Sequence, residues 1–339
     1  MKAVFFDTDD NTMEYMKHKT LEGVEIVYTP DSLELHKDIS GFSDADIISV
    51  FVHSGNISRE VLEKFPNLKM IATRSTGFNN INIDYCRENG IAVCNTPSYG
   101  GTTVAEFTFG LLLDVVKKIS KSAKDFREHD IGIENYMSMD LQGKTLGVIG
   151  TGAIGRGTIR IATGFGMNIL AYDPYPSDEV SSNPNAKYVS MDELLGNSDI
   201  ITLHIPSTKE NYHLISDAEF AKMKDNVYIV NTARGDLIDT TSLYAGLMSG
   251  KVAGAGLDVT EYENFLIQSD TYTRKAQDFH KDEMFKSLLN MKLMQHENVI
   301  ITPHIAFNSI DALYRILDIT LHNIENFKKG NIINSVLGS

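Results

Sequence analysis

Residues 145–157 read TLGVIGTGAIGRG. Thr145–Ile149 is a short run of β-forming residues, and Gly150, Gly152 and Gly155 follow it as G-x-G-x-x-G. In the dinucleotide-binding fold the first glycine allows a tight turn. The second lets the backbone approach a pyrophosphate, and the third lets helix and strand pack closely. A bare glycine triplet also fits a flexible turn. Here a strand precedes it, and the next β-forming run, Asn168–Tyr172, ends at Asp173, at about the 20-residue distance the fold uses. A carboxylate there can accept from both ribose hydroxyls and repels a 2′-phosphate, which favours NAD over NADP. Asp173 also precedes Pro174, so a plain turn is the competing reading.

The same β-forming rhythm extends both ways. Before the glycine loop, runs lie at Ala3–Phe6, Val24–Tyr28, Ile47–Val52, Lys69–Thr73 and Ile91–Cys94. After it come Asn168–Tyr172, Ile200–Ile205, Val227–Asn231, Ala253–Val259 and Val299–Thr302. Helix-like spacers separate them, as parallel βα units require, and the runs are continuously apolar, as strands covered on both faces are. Two apolar stripes at helical spacing flank the second series. One runs through Val104, Phe107, Leu111, Val115 and Ile119 in a helix expected from Thr102 to about Glu128. It could bridge two domains or face a second subunit. The other runs through Ile310, Leu313, Leu317, Leu321, Ile324 and Phe327 and is expected to return to the first domain.

The fold class expected is α/β, with two Rossmann/flavodoxin-like parallel-sheet domains. The domain of residues 101–305 would be inserted into a discontinuous one built from residues 1–100 and 306–339. Gly100-Gly101 and the residues after His304 are the natural hinges. The polar, charge-alternating stretch Asn264–Glu297 reads as an insertion with one or two short helices and no legible purpose.

In open α/β sheets ligands bind beyond the carboxyl ends of the strands. After Val227–Asn231 come Thr232, Ala233 and Arg234; Ala253–Val259 contains Asp258 and leads to Glu261 and Glu263; after Val299–Thr302 come Pro303 and His304. An arginine, an acid and a histidine thus fall at the edge that carries the glycine loop. Arginine offers a planar donor fork for a carboxylate and can polarise a carbonyl. Histidine exchanges protons near neutral pH, and a neighbouring carboxylate favours its imidazolium form. Together with a nicotinamide they suit reduction of a keto acid. Singly, each has a bland reading: Arg234 as a strand-end cap, Glu263 as a loop acid, His304 as a backbone partner. Glu261 is expected to be a solvated loop acid. His18, His36, His129, His280, His296 and His322 are expected to be structural.

The bulk numbers exclude other classes. A net charge of −14 argues against nucleic acid or anionic membrane as the main partner. The two cysteines, Cys86 and Cys94, form neither a disulfide framework nor a metal motif, so buried reduced thiols and no metal are expected. No signal peptide opens the sequence and no apolar run reaches the roughly 18 residues of a membrane span, so a cytoplasmic location is expected.

RSTGFNNINID, TPSYGGTTVAEF, GKTLGVIGTGAIGRG, DIITLHIPST, VNTARGDLID, GKVAGAGLDVTEYE and ITPHIAF follow one another along the chain. In these pieces and their order the sequence resembles the D-isomer-specific 2-hydroxyacid dehydrogenases over almost its whole length. The resemblance implies an NAD-dependent oxidoreductase acting on a small 2-keto or 2-hydroxy acid. Arg234 looks like the substrate-binding arginine, His304 like the acid–base and Glu263 like its partner. Gly150, Gly152, Ala153, Ile154, Gly155, Asp173, Ile205, Pro206, Asn211, Thr232, Ala233 and Asp258 fall where family members meet NAD. Thr76 and Gly77 fall in the loop whose amides hold the substrate carboxylate, and Tyr99 and Phe307 look most like the D-lactate dehydrogenase branch. Gly100-Gly101 departs from the Ser-Pro often found after that tyrosine, and the polar insert is longer than in the common D-lactate enzymes. The resemblance also implies a homodimer formed through the NAD-binding domain and the helix after Thr102. Pyruvate is the first substrate expected, with glyoxylate, hydroxypyruvate or a branched 2-keto acid as alternatives. Phosphorylated substrates are disfavoured because the N-terminal loop offers only Arg74 as an extra cation. An NAD(H)-sensing binding protein or corepressor is the alternative from another class.

Overall fold

The computed structural model describes residues 1–33, 39–51, 54–128, 132–263 and 281–337. The chain divides into two compact units, Met1–Tyr99 with Asn308–Ser339, and Gly100–Phe307. Each is a parallel sheet covered by helices, as the alternating pattern requires. Among the described residues, no helix is long and apolar enough to cross a membrane.

The first unit holds β1 (Lys2–Phe5), β2 (Glu25–Tyr28), β3 (Ile47–Val50), β4 (Met70–Thr73) and β5 (Ala92–Cys94) in the order β2-β1-β3-β4-β5. The expected runs are present, with ends shifted by a residue or two; Val52 lies outside the described residues. Phe5, Ile47, Met70 and Cys94 on one face of this sheet pack against Leu317, Leu321 and Ile324 of the Ile310–Lys328 helix. Leu317, Leu321 and Ile324 of that stripe are buried and Leu313 and Phe327 partly so, as its spacing predicts, whereas Ile310, in the first turn, is exposed. Both cysteines are buried and free, and burial pushes each thiol up to about 11, so neither ionises near neutral pH.

The second unit holds β6 (Thr145–Ile149), β7 (Asn168–Tyr172), β8 (Ala186–Tyr188), β9 (Ile200–Leu203), β10 (Val227–Asn231), β11 (Val252–Leu257) and β12 (Val299–Ile301). Their order is β12-β11-β10-β9-β6-β7-β8, the doubly wound arrangement whose direction of winding reverses between β6 and β9. Registers align the carboxyl ends: Ile149 pairs with Tyr172 and Leu203, Leu203 with Asn231, Asn231 with Leu257, and Leu257 with Ile301. Every loop expected to carry chemistry in this unit therefore leaves the sheet at one level.

The stretch after Thr102 is two helices rather than one, Gly101–Lys117 and Ile119–Arg127. Lys118 between them has φ 54°, and the Asp114 carboxylate accepts from the Ser120 amide at 2.6 Å, so it caps the second helix where the first stops. Ile119 accordingly leaves the apolar stripe and is exposed. The first helix lies on the sheet of its own unit. Glycines in β11 make room for it: a Cβ on Gly254 would lie 2.7 Å from Val115 Cγ1, and one on Gly256 would lie 3.0 Å from Leu111 Cβ. Of the polar insert, residues 264–280 lie outside the described residues, and Lys281–Met294 is a single helix.

The glycine loop is closely packed. Gly150 has φ +95°, and a Cβ on Gly155 would lie 2.0 Å from the Gly150 carbonyl oxygen. Gly155→Ala is expected to force the helix off β6 and destabilise the protein by about 1–3 kcal/mol. Thermal unfolding followed by circular dichroism should show Tm lowered by several degrees, on the order of 2–4 °C per kcal/mol. An unchanged Tm would contradict this packing.

Candidate active site

The dinucleotide cradle is built from the β6 turn and the helix that follows. The Ala153–Gly164 helix begins at Gly152, so the amides of Ala153, Ile154 and Gly155 form its first turn and turn a positive dipole end outward. A Cβ on Gly152 would meet no atom within 4 Å, so backbone there is open to close approach, whereas Gly150 and Gly155 are walled in by backbone. The donor set and the space suit a pyrophosphate.

Asp173 follows β7 beside this turn. Its Oδ2 accepts from the Thr151 amide at 2.6 Å and hydroxyl at 3.0 Å, and its Oδ1 accepts from the Tyr175 amide at 2.8 Å. It thus has the turn role that Pro174 suggests and also joins the glycine loop. A carboxylate has about four acceptor positions, so capacity for a ribose hydroxyl remains. Tyr188, from the unexpected β8, shares a 2.8 Å hydrogen bond with the Thr151 hydroxyl and braces the loop.

Beyond β9, Asn211 closes the loop that carries Ile205 and Pro206. Its side chain accepts from the Thr208 amide at 2.7 Å and donates to the Pro206 carbonyl at 2.8 Å. His204 beside them is half-buried, with ring Nδ1 out of solvent; desolvation pushes its pKa down to about 3, so it stays a neutral imidazole bonded to Thr202 at 3.0 Å. Beyond β10, the Thr232 hydroxyl pairs with Thr108 at 2.9 Å, and the Ala233 amide donates to Asn231 Oδ1 at 3.0 Å. Arg234 then caps a short 3₁₀ turn, and its Nη1 donates to the Ala233 carbonyl at 2.6 Å.

The next two loops are joined to this one. A Cβ on Gly235 would lie 2.1 Å from the Thr260 carbonyl carbon and 2.6 Å from the Glu261 nitrogen, so the arginine loop rests directly on the acid-bearing turn. Glu263 in that turn accepts at Oε1 from His304 Nδ1 at 2.7 Å. His304 has φ 54°, a left-handed conformation that is uncommon outside glycine. Asp258 holds it there. The carboxylate is 1% exposed and accepts from the Thr302 hydroxyl at 2.5 Å, the Ile305 amide at 2.9 Å and the Ala306 amide at 2.8 Å. Burial raises its pKa, although these three bonds and the nearby His304 pull the other way. Asp258 is therefore a clamp on the histidine loop. Phe307 lies edge-on to the His304 ring, with centroids 6.4 Å apart.

Glu261 corrects an expectation. It is 4% exposed, not solvated, and Oε1 lies 2.7 Å from His213 Nε2 and 2.9 Å from Lys286 Nζ. Neither partner stood out in the sequence. Burial would raise the Glu261 pKa, but His213, Lys286 and the Thr240 amide outweigh it and hold it low. His36, His129 and His280 lie outside the described residues.

In the first unit, Thr76 donates to the Thr96 carbonyl at 3.0 Å, the Gly77 carbonyl accepts from Ser75 at 2.6 Å, and the Tyr99 carbonyl accepts from Arg315 Nε at 2.9 Å. Arg74 is buried there with its guanidinium on the Phe6 carbonyl and over the Phe5 and Phe51 rings. Burial lowers its pKa to about 10. It is not a surface cation for a second phosphate.

Residues 109–306 match the family model "D-isomer specific 2-hydroxyacid dehydrogenase, NAD binding domain". A 2-hydroxyacid dehydrogenase homolog of Haemophilus influenzae is 41% identical over 86% of this chain and 86% of its own length. An aromatic 2-oxoacid reductase of Clostridium sporogenes is 37% identical over 95% of this chain and 92% of its own. The structure of a D-lactate dehydrogenase from Aquifex aeolicus, complexed with NAD and lactic acid, superposes with a TM-score of 0.82 at 36% identity over 99% of both chains.

Asp173→Ala removes a carboxylate that braces the loop and that, placed at the ribose, would repel a 2′-phosphate. NADH affinity is expected to fall about tenfold or more, the worth of one or two charged hydrogen bonds. Preference for NADH over NADPH should narrow. Fluorescence titration with both cofactors checks this, and an unaltered preference would remove Asp173 from cofactor choice.

Proposed function

This chain belongs to the D-isomer-specific 2-hydroxyacid dehydrogenases, NAD-dependent oxidoreductases, and on that footing we propose that it reduces a small 2-keto acid with His304 as the acid–base. Pyruvate, giving D-lactate, is the first substrate proposed. The observation that carries the reading is the His304–Glu263 pair, joined at 2.7 Å at the sheet edge that bears the dinucleotide cradle.

NADH, when bound, supplies the hydride. Arg234 holds the substrate carboxylate and polarises its carbonyl through the guanidinium fork. Glu263 fixes the His304 ring through Nδ1, so the proton delivered to the developing alkoxide leaves from Nε2, and the ring is reprotonated from solvent for the next turnover. Asp258 keeps the histidine loop in the conformation that aims the ring. The proposed substrate contacts of Thr76, Gly77 and Tyr99 rest on the family resemblance, as does that of Phe307. An aromatic 2-keto acid is the second reading, favoured by the likeness to the C. sporogenes reductase. A homodimer is also proposed; exposed Ile119, Phe126, Ile133 and Met137, around the Ile119–Arg127 helix, support it.

His304→Ala is expected to lower kcat by about a hundredfold to ten-thousandfold while NADH affinity stays near the parent's. Arg234→Lys should lower kcat/KM for the keto acid by on the order of ten- to a hundredfold, the worth of one charge-assisted bond. Initial rates of NADH oxidation over pyruvate, glyoxylate, hydroxypyruvate, phenylpyruvate and 2-ketoisocaproate measure both and rank the substrates. Retained turnover in His304→Ala would remove it from the mechanism, and no turnover by the parent with any of the five would favour the binding-protein reading.

A further inference from the structure

The Lys281–Met294 helix is turned inside out. Its buried positions are Lys286, Ser287, Asn290 and a single apolar residue, Leu293, whereas Met284, Phe285, Leu288, Met291 and Met294 are exposed. Apolar burial alone would seat such a helix the other way round. Specific polar bonds hold it, and they converge on one short turn. Lys286 Nζ lies 2.9 Å from Glu261 Oε1, 3.1 Å from Asp239 Oδ1 and 3.1 Å from His213 Nε2. Asn290 Nδ2 donates to the Glu261 carbonyl at 2.7 Å, and the Tyr262 hydroxyl donates to Asp282 Oδ2 at 3.2 Å. Side chain and backbone of Glu261, and the side chain of Tyr262, are thus all tied to this helix.

His213, Asp239 and Glu261 stand within range of one another for a shared cation, and the cation between them is the Lys286 ammonium. Burial disfavours that charge, but Glu261 and Asp239 outweigh it, and the ammonium stays protonated. The turn being fixed is Thr260–Glu263. Tyr262 within it has φ 55°, a conformation that a free loop would relax. Glu263 comes next and carries the hydrogen bond to His304.

We propose that Lys286, together with Asn290, is a positioning residue for the reaction: it locks the Glu261 turn so that Glu263 meets the His304 ring. The polar insert then has a job, which is to supply the helix that buttresses the acid–base pair from behind. The inference rests on the proposed roles of Glu263 and His304.

A double-mutant cycle tests it, with kcat and NADH affinity read separately. Lys286→Met is expected to lower kcat by about tenfold to a hundredfold, the effect of misplacing a reacting group by about 1 Å. NADH affinity should stay within about twofold, and Lys286→Arg should restore most of the rate. In a Glu263→Gln background Lys286→Met should add less than about a further twofold, since both act through one contact. Parent-level kcat in folded Lys286→Met, or effects that multiply fully, would overturn the inference alone. Parent-level kcat in Glu263→Gln would instead overturn the reading of Glu263 and the inference with it. Should Lys286→Met fail to fold, Asn290→Ala keeps the ion pairs and removes only the bond to the Glu261 carbonyl. A lowered kcat that Glu263→Gln masks then supports the inference, and an unchanged kcat overturns it.

Discussion

One constraint organises the larger unit of this molecule: a seven-stranded parallel sheet in which six strands have their carboxyl ends in register. The row from Tyr172 through Ile149, Leu203, Asn231 and Leu257 to Ile301 crosses six neighbouring strands, with spacings of about 4.8 Å. A one-residue slip in any pair would turn every side chain of the slipped strand to the opposite face. Because the register holds, residues distant in sequence, from Gly150 to His304, leave the sheet on one edge. The chemistry follows from what those loops do to each other there. Gly235 lets the arginine loop rest on the Thr260 turn, Glu263 of that turn takes the His304 ring, and Asp258 clamps the histidine loop from below.

The clamp shows how buried charge is managed here. Asp258 has its carboxylate removed from water, and three donors replace the water it loses. Glu261 is treated in the same way, with His213, Lys286 and the Thr240 amide around it. Neither carboxylate has the exposure of a proton donor in turnover. His204 makes the same point from the other side: desolvation of its ring keeps it neutral, whereas His304 has Glu263 as its partner.

Much of this was legible in the sequence because it follows from period and type. The strand runs, the glycine triplet and the arginine, acid and histidine after three strands need only alternation and the strand-end rule. What escaped was set by tertiary contact. β8 is three residues, AKY, with no apolar run, and it pairs only at the sheet edge. The break at Lys118 carries no glycine or proline; it depends on Asp114 reaching forward to Ser120. Glu261 reads as a loop acid until Lys286 is brought to it from a helix 25 residues away. A helix that buries its polar face defeats any reading by apolar spacing, since the bonds that invert it come from other segments.

The central claim is that His304, held by Glu263, gives its proton to the substrate oxygen. A crystal structure of the enzyme with NADH and oxamate, a non-reducible isostere of pyruvate, tests it most directly. The account predicts His304 Nε2 within about 3 Å of the oxygen that stands for the keto group, with Nδ1 still on Glu263. An imidazole turned away from that oxygen, with another donor in its place, would contradict it.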